Sequence, residues 1–313
     1  MNTDVATPTN RSRTWLWVVI GGGAFFLFVM AVFTLVYIAV KSDNKSEFSA
    51  GFGDKIGVVE LEGVIIDSKQ ILKDLKRYRD DTSIKAIIVH INSPGGGAAA
   101  SQEMYQAVKR IADQYDKDKK KPIVSVIGTV GASGGYYVAA DTNKIFANHA
   151  SIVGSIGVIA QWYNYGDLVR WAKLKDVTLK SGELKDAGNP NRDMTPAERA
   201  YLQGIIDNMH AQFIHDVAAG RKLKDDQLKV LATGQVWTGQ QAEPLKLVDK
   251  LTDFQGAVDE TAKMVGIKGE PTLVRPTREK RTLLDILFND ASDLIPDKAK
   301  LMQTHVGFYY LWR

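Results

Sequence analysis

The chain contains no cysteine. That absence excludes a disulfide framework, a thiolate zinc site, a cysteine nucleophile and thiol redox chemistry. Histidine is scarce as well, with five among 313 residues. None has HExxH-type spacing, so neither a catalytic metal nor a cofactor is expected. Charge of one sign is also lacking: 40 Lys and Arg against 36 Asp and Glu leave a net +4. Such a balance implies no nucleic-acid partner. What remains is oxygen and nitrogen chemistry from serine, threonine, lysine and carboxylates. The length suits one or two domains with an ample core.

Long hydrophobic runs are absent except for one. Residues 15–40 are uncharged and mostly apolar, and as a helix they would reach about 39 Å. A bilayer core of about 30 Å needs roughly 20 residues, so this segment is expected to span with some tilt. Trp15, Trp17 and Tyr37 stand near its ends, where interfacial aromatics sit. A cleaved signal peptide has a shorter apolar core and a small-x-small site; Ile38-Ala39-Val40 is a poor one. The expectation is an uncleaved anchor. Arg11 and Arg13 before it nearly balance Lys41 and Lys45 after it, so charge alone does not set its orientation.

Beyond a polar linker the pattern changes. A β-branched stretch over 56–66 reads as a strand, and 70–79 carries apolar residues at helical spacing. A short apolar run over 84–91 reads as a strand covered on both faces. A helix follows over 98–115, a strand over 123–127, a helix opening near Ser133, and strands near 144–147 and 156–160. Thr195-Pro196-Ala197-Glu198 combines an N-cap, an N1 proline and a capping-box glutamate, and so opens a long helix reaching about Ala219. Alternating strands and helices predict an α/β domain with a largely parallel sheet. The pattern fades near Lys268. The chain then ends in an aromatic run, Phe308-Tyr309-Tyr310-Leu311-Trp312-Arg313.

Two loops carry candidate chemistry. Asn92-Ser93-Pro94-Gly95-Gly96-Gly97 leaves an apolar strand and enters a helix, which brings backbone N–H groups to a cleft with no side chain in the way. It matches neither a P-loop nor a dinucleotide fingerprint. Gly131-Ala132-Ser133-Gly134-Gly135 formally fits a GxSxG nucleophile elbow, with the Gly134 N–H placed to donate to an oxyanion. A buried small-residue turn fits that stretch equally well. A serine needs a base. His149 is the nearest downstream histidine, and Lys185 lies in a loop-like segment expected after a short strand. A desolvated lysine can accept the serine proton.

Four motifs occur in one order: Asn92-Ser-Pro-Gly-Gly96, Gly131-Ala-Ser-Gly-Gly-Tyr-Tyr137, Gly154-Ser-Ile-Gly-Val158 and Lys180-Ser-Gly-Glu-Leu-Lys-Asp186. In this the chain resembles the signal peptide peptidase A group of the S49 serine proteases, over about 56–264. The resemblance implies a ClpP/crotonase-like fold and a Ser–Lys dyad. It makes Ser133 the nucleophile, Lys185 the general base, Ser155 the hydroxyl that orients the lysine, and Gly96 with Gly134 the oxyanion hole. It also implies residues 1–14 in the cytoplasm, the anchor at 15–40 in the bacterial inner membrane, a linker at 41–54, a periplasmic protease domain at 55–275 and a C-terminal tail at 276–313. A single motif set resembles the short form of the family, which implies a homo-oligomeric ring whose neighbours complete the substrate grooves. Its partners would be membrane lipid and peptide substrates, the remnants of signal peptides.

Such an enzyme is expected to have an apolar groove favouring small or aliphatic side chains near the cut. Its rate should rise from neutral to alkaline pH, because only an unprotonated lysine accepts a proton. Asp186 would oppose that if it faced Lys185, although adjacent side chains in an extended segment point apart. Three other readings use the same residues differently. A ClpP-type Ser–His protease would need His149; a crotonase-type acyl-CoA enzyme would use the glycine loops without a serine nucleophile; a non-catalytic membrane scaffold would tolerate Ser133→Ala.

Overall fold

Burial with a period of two builds the central sheet. Val59, Leu61, Ile87, Val89, Ile91, Ile123 and Ile127 enter one apolar cluster, while Ile56, Val58, Ala86, Ile88, Val124, Val126 and Phe146 enter the other. Successive side chains in a strand point to opposite faces. A strand buried on both faces therefore reads as an unbroken apolar run. The computed structural model describes residues 54–276 and 308–312, together with Phe26, Met30 and Ala31. Those last three are helical and exposed. The rest of the expected anchor at 15–40, the segment 1–14 and nearly all of the linker lie outside the described residues. Among the described residues no helix is long and apolar enough to cross a membrane.

In chain order the elements are β1 (Lys55–Glu62), α1 (Lys69–Asp80), β2 (Ile84–Ser93), β3 (Gly95–Gly97), α2 (Ala98–Asp118), β4 (Ile123–Ala132) and α3 (Gly134–Ala139). Then come β5 (Lys144–Ala147), β6 (Ile152–Gly154), β7 (Ile159–Ala160), α4 (Gly166–Trp171), α5 (Pro196–Gly220) and α6 (Asp225–Leu231). The remainder is β8 (Val236–Thr238), α7 (Gly239–Ala242), β9 (Lys250–Leu251), α8 (Phe254–Met264), β10 (Thr272–Val274) and β11 (Phe308–Leu311).

The main sheet runs β10-β1-β2-β4-β5-β9, every pair parallel. β6 lies parallel to the far end of β4, and β8 returns antiparallel beside β6. This is the mixed α/β, parallel-rich sheet that the alternation predicts. One face is covered by α8 through Ala257, Val258 and Ala262. The other carries the larger cluster, with residues of α1, α2, α3 and the second half of α5.

The capping box of α5 forms as expected: Glu198 N–H donates to Thr195 Oγ1 at 3.2 Å, and Thr195 N–H to Glu198 Oε2 at 2.9 Å. Such a cap is worth about 1 kcal/mol. Other expectations shift. The first strand stops at Glu62, because Gly63 turns with φ +70°, and only Ile65 bridges onward to Gly96. Of the strand expected near 156–160 only β7, Ile159–Ala160, forms; β6 lies before the turn at Ser155, and 155–158 are irregular chain. The short strand expected before Lys180 is irregular chain. β11 had no counterpart in the sequence reading, and it is the strand that matters most.

Candidate active site

The ends of β2, β4 and β6 meet along one edge of the sheet, as ligand-binding loops do in parallel α/β folds. Ser93 pairs in register with Gly131, and Ala132 with Gly154. Ser133 and Ser155 follow immediately, each with φ +52°. A side-chain-bearing residue at positive φ costs about 1–3 kcal/mol, and here the surrounding backbone holds both. Ser133 N–H donates to Gly154 O at 2.7 Å and Tyr137 N–H to Ser133 O at 2.8 Å. Ser155 N–H donates to Gln235 O at 2.8 Å. Both serines are buried.

The glycine loop is a strand rather than a plain turn. Ile65 N–H donates to Gly95 O at 2.9 Å, and Gly97 N–H to Ile65 O at 2.8 Å. Those bonds use the outer groups of β3 toward Ile65. By the alternation of a strand, the N–H and C=O of Gly96 face the other way. There they meet β11, which pairs antiparallel with β3 so that Tyr310 stands opposite Gly96. Trp312 N–H donates to Pro94 O at 2.8 Å, two residues along the same ladder, and this places the Tyr310–Gly96 pair at a hydrogen-bonding position.

The Tyr310 carbonyl oxygen therefore lies at Gly96 N–H. It also lies beside Gly134, 3.1 Å from where a Cβ on that residue would sit. A Cβ on Gly95 would overlap that same oxygen and come within 2.6 Å of Gly134 N. The Gly96 N–H and this carbonyl thus lie close to the backbone of Gly134. A side chain on Gly96 would run into the backbone of Ile65, which is why this loop consists of glycine.

On its other edge β11 pairs antiparallel with β7, Tyr309 opposite Ile159 and Phe308 opposite Ala160. The tail strand is thus the middle of a three-stranded sheet whose outer strands are β3 and β7. A cavity of about 490 Å³ beside it is lined by Ser155, Ile159, His210, Leu311 and Trp312 among others.

The remaining candidate residues lie elsewhere. Lys185 is exposed on the turn over 180–188, and its side chain makes no hydrogen bond to Ser133 or Ser155 within the chain. Asp186 turns away from it, to Lys180 at 2.5 Å and Arg192 at 3.0 Å. These cations hold the Asp186 carboxyl down at about 2, Lys180 foremost. Arg192 also pairs with Glu198 at 2.5 Å. That contact, with the Thr195 N–H, brings Glu198 to about 2.

His149 is exposed on the turn after β5. His90 is half-buried, bonds Glu60 at 2.7 Å and packs against Phe254 in a tilted ring pair, centroids 4.9 Å apart. His210 Nε2 is 3.2 Å from Ile156 O. Among the described residues no cluster of histidine and carboxylates could hold a metal ion.

Sequence reasoning passed over the residues around Tyr310. Its ring lies 4.7 Å from Phe213 and 5.3 Å from Tyr137, centroid to centroid, and its hydroxyl donates to Met209 O at 3.1 Å. Tyr137 in turn donates to Asp216. The available signal was the β-prone aromatic run at 308–312, whose pairing partners lie about 150 and 215 residues earlier.

A serine held at positive φ on a strand-to-helix turn beside a glycine strand is the arrangement of a serine hydrolase. Comparison with known proteins names the group. Residues 115–268 match the family model described as peptidase family S49. The chain is 34% identical over 249 residues to "Putative protease slr0021" of Synechocystis, covering 79% of this chain and 87% of that one. It is 32% identical over 222 residues to "Putative signal peptide peptidase SppA" of Enterococcus faecium, covering 67% and 63%. With "Protease 4" of Haemophilus influenzae it shares 31% over 221 residues, 68% of this chain but 35% of that longer one. The chain belongs to peptidase family S49 and is a serine protease.

Proposed function

We propose that the chain is a membrane-anchored serine endopeptidase that degrades signal peptide remnants, with Ser133 and Lys185 as its dyad on a ClpP/crotonase-like fold. The observation that carries the reading is the carbonyl held at Gly96, close to Gly134 and the Ser133 turn, within a slot one strand wide. A neutral Lys185 takes the proton of Ser133 Oγ as that oxygen attacks a peptide carbonyl. The oxyanion forms against the two N–H groups, each worth about 10²–10³ in rate. Protonated Lys185 then supplies the proton that the leaving amine needs, and water hydrolyses the acyl-enzyme. Ser155, on the adjoining turn, orients the amine.

Within one chain the exposed Lys185 side chain makes no hydrogen bond to Ser133, so we assign it to the Ser133 of a neighbouring copy in a homo-oligomeric ring. Its loop supports this. Trp171 and Leu179, on the same excursion, are 81% and 95% exposed, and apolar side chains so bare mark a surface that another molecule covers. The apolar span at 15–40 supports an anchor in the bacterial inner membrane with the protease domain on the periplasmic side. The relative named a signal peptide peptidase supports the substrate class.

Cleavage of a synthetic signal peptide in detergent by wild type, Ser133→Ala, Lys185→Ala and His149→Ala tests the reading. Loss in the first two variants alone, with folding retained, is the expected result. An active Lys185→Ala with a dead His149→Ala would replace the dyad by a Ser–His mechanism.

A further inference from the structure

We propose that the end of the domain opposite the candidate site is a membrane-docking face, on which a basic cavity takes the phosphate headgroup of an anionic phospholipid. The proposal goes beyond the protease reading and shares with it only the anchor at 15–40. The cavity, of about 270 Å³, lies between the last turns of α1 and α2 and the starts of β2 and β4. Arg79, Lys85, Lys120 and Lys121 line it together with Ile84 and Ile111. Cations around two apolar side chains suit an anionic headgroup and the glycerol carbons behind it.

Because the main sheet is parallel, its strands begin at one edge and end at the other, and the beginnings carry lysine. β1 opens with Lys55, β2 has Lys85 as its second residue, Lys121 stands two residues before β4, and β5 opens with Lys144. Pairing sets them side by side, with Lys55 opposite Ile84, Ile87 opposite Ile123 and Val124 opposite Lys144. At about 4.8 Å between strands the row is about 15 Å long. Helix ends and local acids absorb part of this charge. Lys121 Nζ donates to the carbonyls of Tyr78, Arg79 and Asp81 at 2.6, 2.9 and 2.8 Å. Its three N–H groups are therefore used, and it shapes the cavity wall. Arg79 pairs with Asp80 at 2.9 Å and Lys120 with Asp118 at 3.0 Å. Lys85 and Lys144 are exposed and have no carboxylate partner among the described residues.

The point at which the chain enters the domain selects the partner. β1 begins directly after the linker at 41–54, which joins it to the apolar span. A linker of that length reaches at most about 50 Å, so the lysine edge starts on the part of the domain tethered nearest the bilayer. Each cation held near an anionic leaflet tightens association about fivefold. The candidate site lies at the other end of the same strands. From Lys85 to Ser93 is about 25 Å along β2. Docking by the lysine edge therefore presents Ser133 to peptide drawn clear of the headgroups rather than to segments still within the bilayer.

The test reconstitutes the full-length chain into vesicles and follows acetylation of each lysine by a membrane-impermeant reagent, read by mass spectrometry. In vesicles of phosphatidylglycerol and phosphatidylcholine, Lys85 and Lys144 should react at least about fivefold more slowly than in phosphatidylcholine alone. Lys229, exposed on the helix that leads to the cavity beside Ser155, should react equally in both. Salt at about 1 M, where the screening length is about 3 Å, should remove the protection. Lys85→Glu should remove it at Lys144 while kcat and KM toward a soluble peptide stay unchanged. Equal reaction of Lys85 in the two kinds of vesicle would overturn the proposal. Protection in neutral vesicles by glycerol phosphate or by polyglutamate would also overturn it, in favour of a free phosphate compound or an acidic protein partner. Alkaline carbonate extraction tests the anchor separately. A chain that carbonate releases but anionic vesicles still protect keeps the docking face and sinks the anchor; a chain retained but unprotected does the reverse.

Discussion

The amide of Ser133 donates to the carbonyl of Gly154 at 2.7 Å, which fastens the turn of the first serine to the turn of the second. Both serines sit at φ +52°, where glycine would be strain-free. A side chain held there against strain points to a use for the hydroxyls. Ser155→Gly separates the two contributions, since relief of positive-φ strain offsets the extra entropy lost by glycine. We expect its melting temperature to equal or exceed that of wild type while kcat falls at least about tenfold. Ser155→Ala should lose the same activity without that gain. A fully active Ser155→Gly would remove Ser155 from the mechanism.

Gly96 and Gly134 should respond differently to alanine. On Gly96 the new methyl meets the backbone of Ile65, which cannot rotate away, so the loop must move at a cost of about 1–3 kcal/mol. On Gly134 it meets the Ser101 side chain and the carbonyl in the slot, so the larger effect falls on catalysis, about 10²–10³ in kcat. Thermal unfolding and kcat measured on the same two proteins check this. A stable, fully active Gly134→Ala would place the oxyanion elsewhere.

Much of this architecture was legible in the residues because both faces of the sheet are buried. The runs at 84–91 and 123–127 could be read as strands, and Thr195 to Glu198 announced its own helix. The glycine loops and Ser133 stood out because few sequences need so many small residues at the end of a strand. What stayed hidden depends on distant pairing. Nothing local in Gly95-Gly96-Gly97 shows that it is a strand, since its partners are Ile65 on one side and Tyr310 on the other. That Lys185 makes no bond to Ser133 within one chain was equally unreadable, because the motif order is the same whether one chain or two would complete a dyad.

The excursion that carries Lys185 is held to the start of α5 by the chain Lys180–Asp186–Arg192–Glu198. Asp186 and Glu198 titrate near 2 here, below ordinary values of 3.8 and 4.5. A lowered carboxylate pKa stabilises the fold above the unfolded value, and that stabilisation disappears as pH falls toward the folded one. Pepsin should therefore begin to cut within 163–192 between about pH 4 and pH 2. Arg192→Ala, which removes the shared partner, should be cut there at a higher pH than wild type. Identical pH dependence in the two proteins would mean that the ion pairs do not hold the excursion.

A dyad shared between copies makes a prediction that a dyad within one chain cannot. Ser133→Ala and Lys185→Ala are each expected to be inactive alone. Where each site takes its serine from one subunit and its lysine from the next, a random equal mixture regains about one quarter of wild-type activity, because half the sites keep the serine and half of those meet an intact lysine. Where both groups come from one chain, every mixed site lacks one of them and the mixture stays dead. Co-expression of the two variants, followed by signal peptide cleavage and native mass measurement, reads this directly. Leu179→Glu sharpens the result by placing a charge on the most exposed apolar side chain of the excursion. It should lower the native mass and the activity together while the isolated domain stays folded. Full activity from a Leu179→Glu monomer would place Lys185 beside the Ser133 of its own chain.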